Sequence, residues 1–213
     1  MATIAHRLQS PVSAIQIYAR LLRKHVPGGD ADFIRSVTGI EASARELNRV
    51  IHSLSQARAV GVDELDVYVE ETEMKELLGE SVEIASARLE DRPIEMSAGD
   101  DFIVRADRVL VRDILEELID NAARFSPPDS PIDIEIDRSE DRVEVRVDDR
   151  GTGIPPESRE SVFDPFVKLD PNRSGLGLGL YVARGAARAQ GGDLAAAETR
   201  GGGCRMVLSL PLR

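Results

Sequence analysis

Residues 113–126 read DILEELIDNAARFS, with Ile114, Leu115, Leu118, Ile119 and Ala122 at the spacing of one helix face. Such a stretch is an amphipathic helix whose apolar stripe belongs against a core. Glu117 and Asn121 stand four apart on the same face, and Arg124 lies three beyond Asn121 on nearly that line. A carboxylate, an amide oxygen and a guanidinium in a row are suited to a metal ion and a phosphate chain, although solvated helix faces often carry the same mixture. What accompanies the helix therefore decides its meaning.

Downstream, residues 147–155 read VDDRGTGIP. Asp149 stands at a strand end, and Gly151 and Gly153 follow, which places a carboxylate beside backbone that a ligand can approach closely. That carboxylate can accept a hydrogen bond from an exocyclic amine such as that of adenine. Residues 174–192, SGLGLGLYVARGAARAQGG, set Gly175, Gly177 and Gly179 immediately before a helix, where free N–H groups and the positive end of the dipole can hold phosphates. No strand leads directly into these glycines, so their order is not the dinucleotide-binding one. Between the two glycine motifs, residues 166–174, FVKLDPNRS, form an irregular segment suited to a lid, with Lys168 and Arg173 on it.

The wider pattern is mixed. Period-two apolarity predicts strands at 66–71, 93–98, 102–107, 131–137, 142–149, 193–199 and 204–212. Helical spacing predicts helices over 74–89, 109–124 and 178–190. Strands paired largely by hairpins, with helices gathered on one face, suggest an α+β sandwich. The single cysteine, Cys204, excludes an internal disulfide and reads as a small reduced core residue of the last strand.

The first sixty residues differ. Leu8, Val12, Ile15, Ala19, Leu22 and Val26 form one seam stepping by four and three, and Phe33, Val37, Ile40, Ala44, Leu47, Ile51 and Leu54 form another. The turn VPGGD at 26–30 folds the two helices back as an antiparallel hairpin. A lone hairpin cannot cover such seams, and pairing with a second copy into a four-helix bundle is the simplest remedy, so a homodimer is expected. A composition shift at 60–66 separates this domain, 1–62, from the second, 63–213.

The formal charge of −11 and the isoelectric point near 4.8 exclude a general nucleic-acid or anionic-membrane binder. No apolar run is long enough to cross a bilayer, and the start lacks a signal-peptide core, so a cytoplasmic module is expected.

The order of these motifs is more specific than any one of them. A hairpin bearing AHRLQSPVSAI at 5–15, then DNAARFS, DRGTGIP, VFDPF and GLGLGL, resembles the sensor histidine kinases of two-component signalling. The first domain is similar to their dimerisation and histidine phosphotransfer domain. The second is similar to their Bergerat-type catalytic ATP-binding domain, down to a terminal strand in GGGCRMVLSLPL. The resemblance implies ATP with Mg²⁺, and the metal on Asn121. It implies phosphate contacts from Arg124, Lys168, Arg173 and the glycine run Gly175, Gly177 and Gly179, and adenine at Asp149 with Gly151 and Gly153 beside it. Phe163 and Phe166 would anchor the lid by apolar packing. His6 would be the phosphoryl acceptor, a response regulator's receiver domain the next partner, and Ser10 the group that places water for dephosphorylating that regulator. No sensor segment is part of the sequence.

Two positions depart from that pattern. Arg7 follows the histidine where the family usually has an acidic residue, and a cation cannot take the imidazole proton, so weak autokinase activity is expected. Glu117 stands where many members have asparagine. In the related gyrase and heat-shock ATPases a glutamate there activates water, which gives one alternative, an ATP-hydrolysing switch with Glu117 as base. A noncatalytic ATP-binding dimeric scaffold that regulates a response regulator is the other.

Overall fold

The computed structural model describes residues 15, 17–19, 21–22, 33–40, 44, 47, 51, 54, 57, 59–60, 65–89, 92–170, 176–199 and 202–212. His6, Arg7, Ser10, the turn at 26–30, the domain boundary at 62–63, Arg173 and Gly175 lie outside the described residues.

In chain order the second domain runs β1 (Glu70–Glu73), α1 (Met74–Leu89), β2 (Ile94–Ala98), β3 (Ile103–Ala106), α2 (Arg108–Phe125), β4 (Ile132–Ser139), β5 (Arg142–Asp148), α3 (Gly179–Ala189), β6 (Asp193–Glu198) and β7 (Cys204–Pro211). Two 3-10 turns, Pro156–Ser158 and Ser161–Phe163, lie between β5 and α3. Alternation makes the sheet two-sided. Ile132, Ile134 and Ile136 of β4, Val143, Val145 and Val147 of β5, and Met206, Leu208 and Leu210 of β7 point to one side, where they meet the apolar stripes of α1, α2 and α3 in a single core. On the other side Arg146 pairs with Glu144 at 2.7 Å and Glu135 at 3.4 Å, a charged outer face. The result is the expected two-layer sandwich, helices over one face of a mixed sheet.

Pairing departs from the hairpin expectation: only β4–β5 and β6–β7 are hairpins, while β5 pairs with β7 across α3 and β6, and β1 with β3 across α1 and β2. The five-stranded sheet has the order β2-β4-β5-β7-β6, and β2 runs parallel to β4, Ile94 opposite Ile132, with β3 and α2 forming the crossover. The first strand also shifts. The alternation at 66–71 predicts a strand there, whereas β1 occupies 70–73 and pairs antiparallel with β3 in a separate two-stranded sheet, Glu70 opposite Ala106. The buried residue of this strand is Thr72, whose hydroxyl donates to Ala106 O at 3.5 Å, while Val69 is exposed.

Asp107 joins three elements. As N-cap of α2 its Oδ1 accepts from Val109 N at 3.0 Å and Leu110 N at 3.1 Å. Its Oδ2 accepts from Tyr68 N at 2.8 Å, and its own N–H donates to Oε1 of Gln190, just past the end of α3, at 2.7 Å. The helix carrying Glu117 and Asn121 is thereby fixed at its start to both the segment leading into β1 and the end of α3.

Candidate nucleotide-binding site

Along α2, Asn121 Nδ2 donates to Glu117 Oε1 at 2.9 Å, so the helical spacing of four does bring the two side chains together. Glu117 in turn lies against the first residue of α3. A Cβ on Gly179 would overlap its carboxylate, so a larger residue there would push the Glu117 side chain aside. The N-cap position of α3 is Leu178, whose side chain cannot accept a hydrogen bond, which leaves that helix start without a side-chain cap. Arg124 is exposed in the last turn of α2.

The other end of α2 meets the first glycine motif. A Cβ on Gly151 would overlap the Phe125 carbonyl, so the loop after β5 rests directly on the helix end. From Glu117 to Phe125 is eight residues, roughly 12 Å of helix. One edge of α2 thus runs from an uncapped helix start to a buried carboxylate.

That carboxylate is Asp149, only 7% exposed. Its Oδ1 accepts from Gly151 N at 2.7 Å and Cys204 N at 3.1 Å. Burial pushes the carboxyl above the ordinary carboxylate range, against the pull of those two N–H groups; Asp148 adds to the rise and Arg92 opposes it. Asp148 is itself paired with Arg205 at 2.7 Å. Gly203, at φ +93°, sits with its Cα against the Asp149 carbonyl, and a Cβ on Gly153 would lie 2.8 Å from Gly203 O. Cys204 is buried in β7, and burial raises its thiol to about 12, which makes it inert.

Between the motifs, Phe163 is buried beneath the Arg184 guanidinium, 4.7 Å from its ring centre. Phe166 differs from expectation: it is 65% exposed and contributes backbone, its N–H donating to Gly177 O at 2.8 Å. Its φ of +67° turns the side chain outward, and the bond closes the base of the loop that carries the half-buried Lys168. The structure therefore brings Glu117, Asn121 and Gly179 together at one end, and Asp149, Gly151 and Gly153 at the other, with Gly177 bonded to Phe166. Three contributors escape the sequence reading. Gly203 is signalled only by the glycine run before the last strand, whereas the Cys204 N–H and Arg92 meet the site through contacts distant in sequence.

Comparison with known proteins agrees with this geometry. Residues 106–213 match the family described as histidine kinase-, DNA gyrase B- and HSP90-like ATPases. Over the whole chain there is 29% identity to the sensor protein TorS of Escherichia coli, of which the chain covers 24%. Over 98% of the chain there is 30% identity to the methanogenesis regulatory histidine kinase FilI of Methanothrix harundinacea, of which it again covers 24%. The chain thus spans about a quarter of the length of these curated relatives. Among solved structures, the mycobacterial sensor histidine kinase MprB superposes with a TM-score of 0.62 at 26% identity, covering 68% of this chain and 99% of that one. Full-length ShkA in complex with AMPPNP shares the fold over 99% of this chain and 45% of its own, at a TM-score of 0.82 and 24% identity. The chain belongs to the histidine kinase-, DNA gyrase B- and HSP90-like ATPase family, residues 106–213 forming a catalytic ATP-binding domain of the sensor histidine kinase kind.

Proposed function

We propose that the chain is a protein-histidine kinase that phosphorylates His6 from Mg-ATP and passes the phosphoryl group to an aspartate of a response regulator. The observation that carries the reading is the edge of α2, where Asn121 and Glu117 face the uncapped start of α3 and Phe125 supports the loop of Asp149. The buried Asp149 carboxylate accepts the amine of adenine, and Gly151 and Gly153 let the base lie close. Phosphates lie toward the N–H groups at the start of α3, with Arg124, Lys168, Arg173 and the glycines Gly175, Gly177 and Gly179 around them. The donor set fits Mg²⁺: with Nδ2 of Asn121 committed to Glu117, its carbonyl oxygen is the atom to offer a cation, which when bound offsets phosphate charge.

At the acceptor, a ring nitrogen of His6 attacks the γ-phosphorus, the bond to the bridging oxygen breaks, and ADP leaves. Ser10, four residues on in sequence, places water for removing phosphate from the regulator. The active species is a homodimer, and the stimulus reaches it from a sensor segment outside this chain. Arg7 beside the acceptor makes autophosphorylation slow.

Incubation with γ-labelled ATP and Mg²⁺ tests this. Acid-labile, alkali-stable label that disappears in His6→Gln is the expected result. Phosphate release without labelled protein would instead identify an ATPase with Glu117 as base, and neither product would identify a noncatalytic scaffold.

A further inference from the structure

We propose that Arg92 is a positioning residue of the base pocket, tying the end of α2 to the turn that follows so that the Phe125 carbonyl and the Asp149 loop keep the relation that base recognition needs. The inference rests on the ATP-binding reading and assigns a residue that no motif contains. Arg92 lies just before β2, more than thirty residues from everything it holds. Its Nη1 donates to Ala123 O at 3.0 Å, and its Nη2 donates to Ser126 Oγ and, at 3.1 Å, to Ser130 Oγ. The last carbonyls of a helix have no partner within it, so a guanidinium fork there completes the α2 terminus. Ser130 Oγ donates onward to Pro127 O at 2.8 Å, which makes 126–130 one stapled turn.

The terminus held this way is the one on which Gly151 rests, because a Cβ at Gly151 would overlap Phe125 O. Any displacement of the helix end is therefore transmitted to the backbone that donates to Asp149. Arg92 also reaches Asp149 by charge. The groups facing that carboxylate are the N–H groups of Gly151 and Cys204, the anion of Asp148, and the cation of Arg92, which opposes the rise that burial causes. Among the described residues Arg92 Nε is buried without a hydrogen-bond partner.

The test compares the whole chain with Arg92→Met and Arg92→Lys, measuring calorimetric affinity for ATP and for inosine triphosphate, which has a 6-oxo group, across the acid pH range. Thermal melting monitors folding. Wild type should prefer ATP. Arg92→Met should lose about tenfold in ATP affinity with inosine triphosphate little changed, and its acid-side loss of ATP binding should begin at higher pH. Arg92→Lys keeps the charge, so its pH midpoint should match wild type while its ATP affinity falls. Equal loss for both nucleotides with an unmoved pH midpoint would mean a merely structural arginine and overturn the proposal. So would unchanged affinity in Arg92→Lys, which decides the matter if the methionine variant does not fold. A wild type indifferent between the two nucleotides would overturn the adenine reading itself.

Discussion

At Asp149 the burial that keeps water from the base pocket also raises the cost of keeping a carboxylate there. Its folded-state pKa lies above the ordinary value, so the native protein holds this proton more tightly than the unfolded chain does. The group's contribution to stability is therefore present at low pH and lost as pH rises through the folded value. Once ionised, the side chain burdens the fold and serves the ligand. Asp149→Asn should separate the two: its amide oxygen can still accept from Gly151 and Cys204, the charge burden is gone, and the anionic acceptor for adenine is lost. The expected outcome is a neutral-pH melting temperature equal to or above wild type, with ATP affinity lower by about tenfold to a hundredfold. A lower melting temperature with full affinity would show that the carboxylate supports the fold instead. In the wild type, ATP affinity should fall on acidification as Asp149 takes up its proton, and calorimetry over a pH series would show it. The line of Glu117, Asn121 and Arg124 was legible from sequence because one helix carries all three and helical spacing is local. Arg92 was not, because nothing near it in sequence announces that its partners are Ala123, Ser126 and Ser130.

Elements behave as units joined at a few polar points, and two of these can be cut. Asp107 caps α2 and holds Tyr68 N, so Asp107→Ala should cost about 1–2 kcal/mol in denaturant unfolding while ATP affinity of the folded protein changes little. Arg184 joins α3 to its surroundings, pairing with Asp193 at 2.9 Å and Glu160 at 2.5 Å and covering the Phe163 ring. Burial alone would raise the Asp193 carboxyl, but hydrogen bonds from Arg184, Arg188 and Leu194 N outweigh it and hold the group at about 2. A depressed carboxyl stabilises above its unfolded value, about 3.9, and that contribution disappears as pH falls toward the folded value. Arg184→Met should therefore lower stability at neutral pH by about 1–2 kcal/mol, the exposed Glu160 contributing little. The gap to wild type should narrow as pH falls from about 4 toward 2, since the unfolded chain takes up the Asp193 proton first and the folded wild type does so only near 2. A gap that stays constant through that window would mean that the aromatic contact, not the ion pair, dominates. Three helices and six strands follow the sequence pattern closely because amphipathic periodicity reports burial directly. The parallel pairing of β2 with β4 and the displaced β1 do not, because which strand lies beside which is decided by partners distant in sequence.

For the whole molecule, the described residues among the first sixty show an unfinished surface. Val37, Ala44 and Ile51, each seven apart, are buried at 3%, 5% and 2% exposure, whereas Ile40, Leu47 and Leu54, also seven apart, remain at 44%, 45% and 44%. Two rows of one heptad pattern thus differ in fate: one is covered within the chain, and the other shows large apolar side chains to solvent. Ile15 and Leu22, again seven apart, are exposed at 46% each. A second copy supplies an identical row, and a two-fold interface lets each row cover the other. Completing the burial of each such side chain is worth on the order of 1 kcal/mol, so several acting together can hold a dimer. The net charge of −11 per chain opposes association at long range, and salt screens it, so dimerisation should strengthen as ionic strength rises. Leu47→Glu puts a carboxylate at the middle of the exposed row, where pairing would bury it opposite its own copy. Light scattering should then give the mass of two chains for wild type and of one for the variant. ATP affinity should be unchanged, because Asp149, Gly151 and the edge of α2 lie in the matched residues 106–213, outside this row. A variant that keeps the dimer mass would remove this row from the interface, and one that loses nucleotide binding as well would show that the pocket depends on the assembled bundle.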